Sequence, residues 1–253
     1  MSRRIDLLRL DYAFSVLVPC LLAIYFNGLN LFAHLDIIIA FLLYAITGNT
    51  LNDAIDMRDP NEKDTIERVQ GYHWKEIAAI GIIAFLFGTT LFVRTISEHP
   101  INGLYLILTI VMVVGYCLKK NVPIVNQMLL GASHVFFPYL MIKTDAGVTD
   151  PLLSMSEWFL MLTFFSFAFA GQIVHEIIDG DSITRFSLRS QQQVVVISSI
   201  ITIFLGFVAV WVMKDVYFVP LALIPVGSIY TFRKPTKSTP GVKDVGIVLG
   251  NII

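Results

Sequence analysis

Two short stretches of this chain carry residues whose types and spacing could do chemistry. One reads Gly48-Asn49-Thr50-Leu51-Asn52-Asp53-Ala54-Ile55-Asp56-Met57-Arg58-Asp59, the other Gly171-Gln172-Ile173-Val174-His175-Glu176-Ile177-Ile178-Asp179-Gly180-Asp181. Side chains three or four residues apart share one face of a helix. Asn49, Asn52, Asp53 and Asp56 therefore form one polar stripe, and Gln172, His175, Glu176 and Asp179 form another. Carboxylates brought face to face repel unless a cation lies between them. The strong donors are all oxygens and no Cys/His cluster exists. That favours Mg²⁺, which keeps several waters and binds through a few carboxylates plus substrate phosphates.

A single acidic residue beside a loop is ordinarily just solvated. Two clusters of matched spacing are a different matter. At an offset of 123 residues Gly48 meets Gly171, Asn49 meets Gln172, Asp53 meets Glu176, Ile55 meets Ile178 and Asp56 meets Asp179. Just upstream, Tyr44-Ala45 meets Phe167-Ala168. This points to an internal repeat of about four helices. The offset contains an even number of predicted spans, so the repeat is parallel and both clusters lie on one side of a membrane. With the pseudo-symmetry axis between them, the stripes are expected to face each other across a central cavity. His134 reads as a satisfied interior histidine, and Asn126 and Gln127 as interhelical hydrogen-bond partners.

The elements that must position these stripes follow from composition. The chain has 253 residues, 56% of them hydrophobic and 15% charged, with a mean hydropathy of +0.73. A soluble domain has about 25% charged residues. The excess apolar residues come in runs of about 20, the length that crosses about 30 Å of hydrocarbon. A disordered chain is excluded by this apolarity. A disulfide scaffold is excluded because Cys20 and Cys117 each sit inside an apolar run. A net charge of −1 with no basic stripe argues against nucleic acid as a partner.

Eight spans are expected, near Tyr12–Leu31, Asp36–Asn52, Lys75–Val93, Leu104–Leu118, Val122–Ile142, Ser156–Asp179, Val194–Met213 and Tyr217–Phe232. A ninth apolar stretch, Val245–Ile253, is too short to cross. The fold class is thus an all-α polytopic bundle of eight to nine spans, built as two parallel four-helix repeats and forming a single domain over residues 1–253. The first span is read as retained rather than as a signal peptide, its apolar stretch being too long. With the N-terminus in the cytoplasm, every Lys and Arg of the 18 except Arg94, Lys143 and Lys214 falls on the cytoplasmic side. That bias fixes the orientation and puts both acidic clusters at the cytoplasmic ends of their spans.

The stretch NDAIDMRD, followed by Arg68 and Gly71, resembles the first aspartate-rich motif of the UbiA superfamily of intramembrane prenyltransferases. QIVHEIIDGD resembles its second motif. Tyr116-Cys117-Leu118-Lys119-Lys120 ahead of Asn126 resembles the family's tyrosine-plus-basic segment. The likeness covers nearly the whole chain in span order. It departs at Pro60, where an aspartate usually stands, with Asp59 one residue early. Val69 replaces the usual proline, and Asp181 follows Asp179 by only two residues.

The resemblance implies Mg²⁺-dependent transfer of a prenyl chain from a polyprenyl diphosphate, such as geranylgeranyl diphosphate, to a lipophilic or aromatic acceptor, with release of diphosphate. It implies metal ligation by Asp53, Asp56, Glu176 and Asp179, with Asp59 and Asp181 as outer ligands. Asn52 would contact metal or diphosphate. Arg68, Lys119, Lys120, Tyr116 and Asn126 would meet the diphosphate, and Gln172 and His175 would orient the ligands. Four rival readings share features of the sequence. A transporter also suits parallel repeats with buried acids, but its site belongs at broken helices near the midplane. A transferase of diphosphate-linked alcohols fails on Asp181-Ser182, where its signature needs other residues. A non-catalytic scaffold keeps the fold without the activity. A cyclase would use the same metal site on the donor alone.

Overall fold

The computed structural model describes residues 7–10, 13–58, 60, 63–118, 122, 124–179 and 182–232. Among these residues the structure is helical, with no strand. The helices are α1 (Phe14–Phe26), α2 (Leu35–Asp56), α3 (Lys63–Arg68), α4 (Trp74–Glu98), α5 (Pro100–Leu118), α6 (Val125–Gly131), α7 (Phe137–Asp145), α8 (Met155–Asp179), α9 (Leu188–Met213), α10 (Val219–Leu223) and α11 (Pro225–Phe232). Helical segments lie within each of the eight windows expected from sequence. Among the described residues four helical stretches are long and apolar enough to cross a membrane: Leu31–Asp56, Trp74–Glu98, Met155–Val174 and Leu188–Met213. Their exposed sides are apolar. α4 shows Ile82, Ile83, Leu86 and Phe87 outward, and α9 shows Ile197, Ile200, Ile201 and Phe204. Such faces are anomalous in water and fit an integral membrane protein.

Where the helices differ from the expected spans, local chemistry gives the reason. α1 stops at Phe26 rather than Leu31. Asn27 turns its side-chain amide back onto the Ala23 carbonyl at 2.9 Å, and Gly28 takes a φ of +59°, the left-handed conformation that closes a helix. The expected fifth span is interrupted by a π-helical stretch at Ala132–Phe136. Pro138 lies just after it, and proline can neither donate to the carbonyl four residues back nor fit against it. The expected eighth span is broken into a 3₁₀ turn at Val216–Phe218, α10 and α11. Pro225 begins α11 and bars Ile224 from helical geometry. The Val245–Ile253 stretch lies outside the described residues.

The chain divides into two compact units, Met1–Ile107 with Pro138–Val148, and Leu108–Phe137 with Thr149–Ile253. In the first, α2 packs along α4. Ile37, Ala40, Phe41, Thr47, Thr50, Asp53 and Ala54 form the buried side of α2, spaced three or four apart as one helix face must be. Gly81 and Gly88 of α4 admit this contact. A Cβ on Gly88 would stand 2.7 Å from the Tyr44 ring, and one on Gly81 2.6 Å from the Thr50 hydroxyl. The hydroxyls on this face are satisfied within the pair: Thr47 donates to the Gly81 carbonyl at 3.2 Å, and Thr50 to that of Ile46 at 2.7 Å.

In the second unit, α8 packs on α9 and α6, and α9 packs on α10 and α11. Ser166 and Thr202 share a hydrogen bond at 2.7 Å across α8 and α9. Gly206 lets α9 meet α10, because a Cβ there would lie 2.7 Å from that of Ala222. One acidic cluster falls in each unit: Asp53 and Asp56 end α2, and Glu176 lies near the end of α8.

Candidate functional site

The first cluster is built at the last turn of α2. Asp53 is fully buried, and Arg68 at the end of α3 reaches both of its oxygens. Nη2 donates to Oδ1 at 2.7 Å and Nε to Oδ2 at 3.2 Å, the two-pronged fit of guanidinium to carboxylate. Arg9 approaches Oδ1 at 3.5 Å, and its carbonyl accepts from Asn49 at 3.3 Å. Thr65 accepts a further bond from Arg68 at 3.2 Å, which fixes the guanidinium on α3.

One turn on, Asn52 donates through Nδ2 to Asp56 Oδ2 at 2.5 Å, the i,i+4 contact expected of a helix face. Asp56 is 9% exposed. The carbonyl oxygen of Asn52 is buried and has no hydrogen-bond partner among the described residues. A cluster of Leu7, Ala54, Val69 and Ile77 seals the base of this region. His73 and Glu76 cap α4 reciprocally, with the His73 amide donating to Glu76 Oε2 at 2.7 Å. Arg58 stacks over Trp74, 4.3 Å from the ring centre.

The second cluster joins α8 to α6. Glu176 is 4% exposed and accepts from Gln127 Nε2 at 2.7 Å. Gln127 and its neighbour Asn126 are both fully buried. Among the described residues, Gln127 Oε1 and both amide atoms of Asn126 have no hydrogen-bond partner. On α8, one turn before Glu176, Gln172 donates to the Tyr116 hydroxyl at 3.4 Å, so two more residues singled out in the sequence are neighbours. His175 and Asp179 lie on α8, but their side chains are outside the described residues, as are Asp59, Lys119, Lys120 and Asp181.

A buried polar atom left without a partner costs about 1–3 kcal/mol. Four such atoms border the two clusters, and three of the four are carbonyl oxygens: Asn52 Oδ1, Asn126 Oδ1 and Gln127 Oε1. An oxygen-only set of carboxylates and amides is the donor chemistry of a hydrated hard cation. The residues present therefore fit Mg²⁺. Asp53 fits least well, because both of its oxygens already accept from Arg68.

Sequence reasoning missed the place of Arg9, which was expected only as a topology signal. Gln127 was expected as a hydrogen-bond partner between helices, and it does join α6 to α8, through Glu176 at 2.7 Å. The one clue to Gln127 was an uncharged amide beside Asn126 within an apolar run.

Another group with metal-binding side chains, Glu98, His99 and Asp145, lies in the first unit. Arg94 already supplies its positive charge. It donates to Asp145 at 3.0 and 3.1 Å, to Asp36 at 2.7 and 3.0 Å and to Glu98 at 3.0 Å. His34 meets Asp145 at 2.7 Å. Burial raises the Asp145 carboxyl, but hydrogen bonds from Arg94, Thr95 and His34 outweigh that and hold it below its ordinary range. This is an ion-pair clamp tying α2, α4 and α7.

Compared with protein-family models, with curated proteins and with solved structures, the chain matches none.

Proposed function

We propose that this chain is an integral membrane transferase of eight spans that moves a prenyl group from a polyprenyl diphosphate to a lipophilic or aromatic acceptor, on the cytoplasmic side. The observation that carries this reading is the pairing, in each acidic cluster, of a buried carboxylate with an amide whose carbonyl oxygen is orphaned. Apolar helices around such clusters suit a substrate with a charged head and a long hydrocarbon tail. Burying each CH₂ of that tail is worth about 0.8 kcal/mol.

In this reading Asp56 would hold a cation at the first cluster, and Glu176 and Asp179 would hold one at the second, with Asp59 and Asp181 as outer ligands of their own clusters. Asp53 would serve the cation of the first cluster on giving up its Arg68 partner, and Arg68, Lys119 and Lys120 would supply positive charge for a diphosphate. Mg²⁺ held there would neutralise the diphosphate charge and so make it a competent leaving group. Asn126 and Tyr116 orient the head group. The allylic C–O bond then breaks, with its electron pair departing on diphosphate. The acceptor forms a bond to the allylic carbon and gives up a proton. Apolar side chains keep water away from that carbon, and close placement of the acceptor makes it the first nucleophile met.

The test is to incubate purified protein in lipid vesicles with geranylgeranyl diphosphate, Mg²⁺ and a panel of phenolic and glycerol-phosphate acceptors. Product mass is then read. One acceptor gaining the mass of a prenyl group, only with Mg²⁺, is the expected result. A cyclised hydrocarbon formed without acceptor would replace transfer by cyclisation. Full engagement of Asp53 by Arg68 favours, as a second reading, a non-catalytic scaffold; that reading predicts no turnover of any donor.

A further inference from the structure

Glu176 is acceptor-only when ionised, so the group that meets it must be a donor. That requirement orients the Gln127 side chain: its NH₂ end faces Glu176 at 2.7 Å, and its carbonyl oxygen points elsewhere. This oxygen is buried and unpartnered, and so are the oxygen and nitrogen of Asn126 next to it on α6. A residue serving only to join α6 to α8 would have no need of an orphaned amide oxygen beside a buried carboxylate. Water molecules on a divalent cation are strong donors, and an amide oxygen beside a carboxylate is a fitting acceptor for such a shell.

We infer that Gln127 is a positioning residue of the second acidic cluster: its amide nitrogen holds Glu176 in place, and its oxygen accepts from the waters of a divalent cation bound there. The inference rests on the metal-dependent reading above. It adds a residue on α6 to the metal's surroundings and assigns opposite tasks to the two ends of one amide.

The role is tested with Mn²⁺ alone, titrated into the purified full chain in nanodiscs and followed by electron paramagnetic resonance, alongside thermal unfolding. Gln127→Leu keeps the size and removes both ends of the amide. It is expected to weaken Mn²⁺ binding about 10- to 100-fold while the protein stays folded. Gln127→Glu removes the donor to Glu176 but adds a carboxylate for the cation. It is expected to unfold at a lower temperature without metal and to recover when Mn²⁺ is added. A role as interhelical glue would give the same loss with no recovery. Unchanged Mn²⁺ affinity in Gln127→Leu would overturn the inference, as would a wild-type chain that binds no Mn²⁺. Mg²⁺-dependent prenyl transfer, measured separately, distinguishes these failures from failure of the transferase reading. Transfer intact in Gln127→Leu leaves that reading standing while removing Gln127 from it.

Discussion

Both oxygens of Asp53 accept from Arg68, Oδ1 from Nη2 at 2.7 Å and Oδ2 from Nε at 3.2 Å. The carboxylate is wholly buried, and the guanidinium side chain is 22% exposed. Removing one partner of a buried pair leaves an uncompensated charge, at a cost of about 3–5 kcal/mol. Arg68→Ala should therefore lower stability by that order, and Arg68→Lys should recover little because an ammonium cannot make two parallel bonds. A double-mutant cycle with Asp53→Ala, followed by thermal unfolding in detergent, checks it. Additive losses would mean that the two residues are not coupled.

The contact between α2 and α4 depends on two glycines. Gly88→Ala drives a methyl into the Tyr44 ring and toward the Ala40 carbonyl, and Gly81→Ala drives one into Thr50. Each should destabilise by about 1–3 kcal/mol, the usual cost of overpacking. Gly171→Ala is the control, since nothing lies within 4 Å of its added Cβ. It should be neutral or gain about 0.5–1 kcal/mol from the helical preference of alanine. Unfolding midpoints of the three variants decide the matter.

Asp145 gives the clamp a pH signature. Its side chain is 2% exposed and its carboxyl is held below the ordinary 3.8. A carboxyl lowered by folding contributes stability above its unfolded value and loses it as pH falls through the folded value. Acidification below about pH 4 should therefore cost the wild type stability that Asp145→Asn no longer has to lose. Arg94→Ala removes bonds to Asp36, Asp145 and Glu98 and should cost about 1.5–3 kcal/mol at neutral pH. Stability measured between about pH 7 and pH 3 reads both effects. A parallel decline in wild type and Asp145→Asn would show that other carboxyls govern it.

Much of the helical framework was legible because hydrophobic run length is set by the membrane, and a local count of apolar residues recovers it. The stripe from Asn49 to Asp56 was equally legible, since i,i+4 spacing needs no knowledge of the partner helix. Asn52 does meet Asp56 in this way. The early end of α1 had a signal in Asn27-Gly28, and the break in the last span had one in Pro225, but hydropathy windows average over such residues. Arg68 was expected to meet diphosphate, and in the structure it meets Asp53. No local pattern announces that pairing, because fifteen residues and a turn separate the two. The partner of Gln127 was hidden for the same reason: it is 49 residues away on another helix.

The inner carboxylates should separate activity from folding. Asp56→Ala or Asp179→Ala is expected to abolish transfer while the protein still extracts as a folded membrane species. For Asp56 the loss of the bond from Asn52 should cost about 1.5–3 kcal/mol, less than the whole stability of about 5–15 kcal/mol typical of a folded protein. Full activity in either variant would remove the metal bridge from the mechanism.

Diphosphate release from geranylgeranyl diphosphate tests the central claim most directly. It is measured for wild type and Asp56→Ala in lipid vesicles, with Mg²⁺ and with excess chelator. Release by the wild type that needs both Mg²⁺ and an acceptor, and that disappears in Asp56→Ala, is the predicted result. A folded wild type that releases no diphosphate under any of these conditions would contradict it.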